Sequence, residues 1–210
     1  MTTTTSGHAA AQRSSTDTAT RHGTTWGLTL TGGILLGLGL VLGSTIMFDP
    51  RPYSEISATT AHTVHYAIWV ACLVALSQLY PRLAGLSARP GRAISAAAAT
   101  AAGVGAALDA CARFMLAFVN PVLAEHAPDL LDTPPDAILL VPTIGVGVVA
   151  MVGVVWLAVS AAMAGVVPRA AAALLAIGAV AIPAAGPLSN VLVGAALVWF
   201  GIAAKRRARS

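Results

Sequence analysis

The sequence predicts an all-α integral membrane protein, a bundle of about six transmembrane helices with both ends in the cytoplasm. Three observations carry this. Of 210 residues, 57% are hydrophobic and only 10% charged, with a mean hydropathy of +0.79; soluble domains place roughly a quarter of their residues in the charged class. The apolar residues fall in runs of about membrane length. The basic residues sit in short caps between those runs.

Residues 1–25 are rich in threonine, serine and alanine, a composition that buries too little apolar surface to order itself, and they read as a disordered cytoplasmic tail. The apolar run behind them begins late and lacks a small-x-small cleavage site, unlike a signal peptide. Residues 26–204 form the transmembrane bundle. The first span, 26–48, carries Gly33 with Gly37 and Gly39 with Gly43 at a spacing that lets another helix approach closely. A polar turn with Asp49, Arg51, Tyr53 and Glu55 leads to the second span, 62–80, which Pro81 ends.

Arg82, Arg89 and Arg92 fill the following short loop, and an alanine-rich third span covers 93–120. Beyond Pro121 an acidic loop holds Glu125, His126, Asp129, Asp132 and Asp136. The fourth span, 137–167, is expected to bend near Pro142. Between Arg169 and Ala204 the apolar character breaks only at Pro183, Gly186 and Pro187, a hairpin signal dividing spans 170–184 and 187–204. Residues 205–210 form a basic cytoplasmic tail. With this division nearly all the basic residues fall on one side and the loop acids, with Arg51, on the other; lysine and arginine mark the cytoplasmic side. Reading 170–204 as one broken helix would send Lys205, Arg206, Arg207 and Arg209 across the membrane.

Ionisable groups inside a span cost at least about 2.5 kcal/mol each on insertion scales, and so draw attention to function. Asp109 and Arg113 are such groups, four residues apart on one helix face with the acid first. By depth, His62 and His65 on the second span, Trp69 one turn further in, Asn190 at the start of the last span and Glu55 on the loop above gather with them in the external half of the bundle. Asp109 and His65 are the candidate catalytic residues, as charge stabiliser and proton carrier. Arg113, Asn190, His62, Glu55 and Trp69 are the candidate substrate-binding residues. Equally, Asp109 and Arg113 can serve as a mutually neutralising pair that sets helix packing.

His62 and His65 make an HxxH, yet a metal site needs further ligands and their outer partners; no metal and no cofactor is expected. Cys72 and Cys111 have no CxxC or zinc-like spacing, and Cys111 lies about 200° round the helix from Asp109. No phosphate loop, nucleophile elbow or zinc-protease motif is present, and the dispersed basic charge excludes nucleic acid as a partner.

The run VVPRAAAALLAIGAV followed by PLSNVLVGAALVWFG resembles the last helix pair of uncharacterised small multi-span membrane proteins of high-GC actinobacteria. That resemblance implies residence in the cell membrane and brings no functional residues with it. Three functions fit the sequence. The first is a structural, accessory or sensory membrane component. The second is a membrane-embedded enzyme acting on a lipophilic isoprenoid or lipid, for example by a terpene-cyclase-like acid–base reaction with Asp109 and His65, to which Trp69, Phe114 and Trp156 lend aromatic faces. The third is a small transporter or export component, which at this length requires a homo-oligomer. The partners are the lipid bilayer and, in the second reading, a lipophilic small molecule.

Overall fold

The computed structural model describes residues 23–43, 49–133, 137–185 and 189–207. Helix α1 covers residues 23–38 and passes into a π-helical stretch, Gly39–Gly43. After a short α2, Tyr53–Ser57, come α3, Thr60–Leu79, and α4, Ala96–Phe114. A second π stretch, Met115–Val119, joins α4 to α5, Asn120–His126, and a single turn, α6, follows at Asp129–Asp132. Helices α7, Ala137–Met163, α8, Arg169–Ala185, and α9, Ser189–Arg207, complete the chain. Among the described residues there is no strand, only an isolated bridge between Arg89 and Arg92.

The six long helices alternate in direction, and small residues set the contacts. A Cβ at Gly153 would fall 2.6 Å from the Ala101 carbonyl oxygen, and one at Gly105 would fall 2.6 Å from Ala150 Cα, so α4 and α7 meet antiparallel, backbone against backbone. Gly32 meets Leu197 and Val198 in the same way, bringing α1 against α9, while Gly178 faces Val193 between α8 and α9. Close approach of this kind is how helices associate where lipid removes the hydrophobic incentive. Gly33 and Gly37, expected to pack, have nothing within 4 Å of a built Cβ; they lie about 100° and about 140° round the helix from Gly32, which carries the contact. Gly39 does pack, on Val191.

Among the described residues four helical segments are long and apolar enough to cross a membrane: Gly23–Val41, Thr60–Leu83, Ala96–His126 and Ile144–Met163. In the last, with a mean hydropathy of 2.3, only 28% of the window is buried inside the bundle; Val148, Val152, Trp156, Val159 and Met163 form an exposed apolar stripe. Such a stripe is expected against hydrocarbon rather than water. The remaining long helices, α8 and α9, are shorter or carry the basic residues Lys205, Arg206 and Arg207.

Several boundaries differ from the sequence reading. The first helix already includes residues 23–25, and Thr24 is buried; the rest of the predicted tail, residues 1–22, lies outside the described residues, as do 44–48 of the first span. The third span begins at Ala96, where the Ser95 side chain accepts the Ala98 N–H, and the helical path runs on through Pro121 to His126 instead of ending at Asn120. The π stretch lies immediately before Pro121, and such a widened turn accommodates a ring that has no N–H to give the preceding turn. At α7 the helix runs through Pro142 and stops at Met163, four residues short of the expected end. Gly165, with φ +71°, closes a Schellman cap in which its N–H donates to Ala162 and that of Val166 to Ala161. Helix α8 likewise continues past Pro183 to Ala185.

Candidate functional site

Thr59 starts α3 by accepting the His62 N–H at 3.2 Å on its hydroxyl. From there, residues at three- and four-residue spacing share one face, and His62, His65, Tyr66, Trp69, Cys72, Leu73 and Leu76 are all buried on it. Facing them is the end of α4, with Asp109 and Arg113, and the π stretch that continues it, which also packs on α3. The Arg113 Nε donates to Asp109 Oδ1 at 3.2 Å, and its guanidinium lies 4.3 Å from the centre of the Trp69 ring. This geometry gives Arg113 an acid on its own helix and an aromatic face on the next.

Trp69 stacks on Tyr66, with centroids 5.7 Å apart and planes at 12°. His65 stands edge-on to both, 5.0 Å from Tyr66 and 5.7 Å from Trp69. His62 lies 4.6 Å from Tyr66 and meets Tyr53, from the loop-side helix α2, in a T-shaped contact at 5.9 Å. The Tyr53 hydroxyl accepts a hydrogen bond from Asn120 at 3.0 Å, so the wall of rings is closed at its top by the far end of the π stretch. Ser54 then ties α2 to α6: its N–H and hydroxyl donate to Asp132 at 2.9 and 2.7 Å. These bonds, the hydroxyl's first, hold the Asp132 carboxyl below the usual carboxylate range. On the adjoining loop, Arg51 pairs with Asp49 at 2.7 Å and holds it at about 2.

Both histidine rings have no exposed surface, and none of their four ring nitrogens has a hydrogen-bond partner among the described residues. Ser57 Oγ, also fully buried, is in the same condition. Buried polar atoms are paired in the great majority of cases, and an orphaned one costs about 1–3 kcal/mol. A cluster of them is therefore a place where a hydrogen-bonding group fits.

The seven nominated residues can now be placed. His62, His65, Trp69, Asp109 and Arg113 form one contact chain. Asn190 is buried, its amide nitrogen has no hydrogen-bond partner among the described residues, and its backbone lies at the α1–α9 seam beside Gly39. The seventh, Glu55, is exposed on α2. Phe114 and Trp156 are about half exposed on the outside of the bundle and give no aromatic face to the site. Cys111 is exposed, while Cys72 is buried; Asp109 and Cys111 thus face opposite ways, as their spacing requires.

Sequence reasoning missed the roles of Tyr53, Tyr66 and Ser57. Tyr66 carried a usable signal, since it lies four residues after His62 and three before Trp69; Tyr53 and Ser57 lie outside the apolar periodicity and carried none. Among the described residues no three His, Cys, Asp or Glu side chains converge as metal ligands. No family model matches the chain, nor does any curated protein or solved structure.

Proposed function

We propose that the chain is a six-span protein of the cell membrane, both termini cytoplasmic, that binds a lipophilic molecule carrying a polar group and performs acid–base chemistry on it. The alternation of the long helices and the gathering of Arg82, Arg89, Arg92, Arg169 and Lys205 at one end support the topology. The observation that carries the function is the pair of buried, unpartnered imidazoles beside an ion pair. His65 is the proton carrier, since imidazole both gives and takes a proton near neutral pH. His62 and Tyr66 orient the polar group. Asp109, held in place by Arg113, stabilises positive charge that develops on the substrate, with the Trp69 and Tyr66 rings adding their faces.

A second reading, a structural, accessory or sensory component, is favoured by the fact that the Asp109–Arg113 pair closes within one helix and needs no substrate to balance it. One experiment separates the two. Organic extracts of the native host carrying wild-type protein, a deletion, His65→Gln, Asp109→Asn or the charge-swapped Asp109→Arg/Arg113→Asp are compared by untargeted mass spectrometry, with membrane abundance measured in each. The proposal expects one lipophilic compound to disappear and its precursor to accumulate in the deletion and in every variant present at normal level. Unchanged extracts from a strain whose His65→Gln protein is fully abundant would sink it in favour of the second reading.

A further inference from the structure

At the opposite, basic end of the bundle, away from the ring cluster, the turn between α3 and α4 is built in detail. Gly85 and Gly91 take positive φ, Ile94 and Leu86 pair across the turn, and the Ser87 hydroxyl donates to the carbonyls of Arg89 and Arg92 at 2.7 and 2.6 Å. The turn is docked on the end of α7: the Ala88 N–H donates to the Ala164 carbonyl at 3.0 Å, and that of Ser95 to the Ser160 hydroxyl at 2.8 Å. A Cβ on Gly165 would fall 2.8 Å from Arg89 Nε. Gly165 therefore both caps α7 and gives the Arg89 side chain its seat.

These contacts bring Arg89 and Arg92 to the same cavity as Arg169, the first residue of α8. The cavity has a volume of about 320 Å³ and an apolar floor that includes Val159, Met163 and Ala176. Val159 and Met163 belong to the exposed stripe of α7, so the floor is continuous with the surface that faces acyl chains. Among the described residues none of the three guanidinium groups has a carboxylate partner; the ion pairs there are Arg51–Asp49 and Arg113–Asp109. Three unneutralised guanidiniums around one hollow repel each other and present paired N–H donors that match phosphate oxygens.

We infer that this cavity binds the phosphate group of an anionic phospholipid, with Arg89, Arg92 and Arg169 on the phosphate and the lipid's chains running along Val159 and Met163. Basic pockets between helices at the cytoplasmic face are where such headgroups bind. The site is independent of the acid–base reading above and stands or falls separately.

The test is native mass spectrometry of the purified full-length protein in detergent, titrated with phosphatidylglycerol, phosphatidylcholine or inorganic phosphate. Wild-type protein is expected to retain phosphatidylglycerol roughly a hundredfold better than phosphatidylcholine, three basic contacts being in play. Arg89→Gln/Arg92→Gln/Arg169→Gln should bring the two lipids to equality. Arg92→Gln alone, a change on an exposed turn, should weaken phosphatidylglycerol several-fold and carries the test if the triple variant does not fold. Lys205→Gln/Arg206→Gln should leave retention unchanged. Equal retention of the two lipids by wild type, or undiminished selectivity in the folded arginine variants, overturns the inference. So does inorganic phosphate that displaces the lipid at equal concentration, which would make the site one for the free anion.

Discussion

Deleting the charges of Asp109 and Arg113 singly and together distinguishes a coupled pair from two independent polar residues. The Asp109 side chain is 9% exposed and that of Arg113 21%, so Arg113→Leu leaves a nearly buried carboxylate without its counter-charge. Breaking a buried pair in this way costs about 3–5 kcal/mol, and the partial exposure of Arg113 sets this case at about 3. Asp109→Leu is milder, about 2 kcal/mol, because Arg113 retains the Trp69 face. Additive behaviour would give the double Leu variant a loss of about 5 kcal/mol; coupling predicts about 2 to 3, since no uncompensated charge remains. Arg113→Lys keeps the charge but not the planar group over Trp69, and should lose about 1 kcal/mol. The assay is equilibrium unfolding of the purified full-length proteins in a single detergent, read by tryptophan fluorescence. A double variant that loses as much as both single variants combined would refute the coupling.

Two further outcomes test the frame around the site. Gly153→Ala drives a methyl into the Ala101 carbonyl and should cost about 1–3 kcal/mol, whereas Gly147→Ala on the same helix meets nothing within 4 Å and should be neutral or stabilising by up to about 1 kcal/mol; equal melting temperatures for the two variants would contradict the α4–α7 packing. The Ser54–Asp132 tether makes a pH-dependent prediction. Its carboxyl is held below the ordinary 3.8 in the folded protein, so the tether is present above that value and is lost as the pH falls below it through the folded one. Amide exchange at Ser54 should be about tenfold faster in Asp132→Ala than in wild type at pH 6, with the difference vanishing in strong acid; identical rates at pH 6 would mean the tether does not hold α2.

Height along the bundle was legible because it follows from position along a helix at about 1.5 Å per residue. That argument put His62, His65, Asp109 and Arg113 in one half of the bundle, and the four-residue spacing placed Asp109 and Arg113 on one face. Azimuth was harder, since it depends on which neighbour each face meets. Asn190 groups with the cluster by depth, yet its backbone belongs to the α1–α9 seam beside Gly39, and Gly33 shares the depth of Gly32 yet meets nothing of α9. The continuation through Pro121 was illegible for a different reason. Proline reads as a terminator, yet the helical path passes Pro121 behind a π stretch that leaves no periodic mark in the sequence, as α7 and α8 pass Pro142 and Pro183. Arg89, Arg92 and Arg169 read as topology markers because each is separately a loop-end residue; the docking of the α3–α4 turn on the α7 cap, which brings them together, is a tertiary contact.

Packing and chemistry follow one another along α4. Its Ala101, Ala102 and Gly105 side meets α7 so closely that neither helix admits another methyl group there, while one turn on Asp109 pairs with Arg113, whose guanidinium lies over the Trp69 ring of α3. Gly105 and Asp109 are four residues apart, one turn of helix, so the seam that locks α4 against α7 fixes the height and rotation of the acid directly above it. Arg113 is then followed at once by Met115–Val119, where the hydrogen-bonding changes register. Such π stretches are retained most often where a side chain must be aimed for function, and this one carries Asn120 to the hydroxyl of Tyr53 at the top of the ring wall. The lower boundary of the site is thus fixed by a backbone seam, whereas among the described residues its upper boundary is held by three side-chain hydrogen bonds, Asn120 to Tyr53 and the two from Ser54 to Asp132 through α2. Under the proposed function, entry past α2 is consequently less costly than a route that must part α4 from α7.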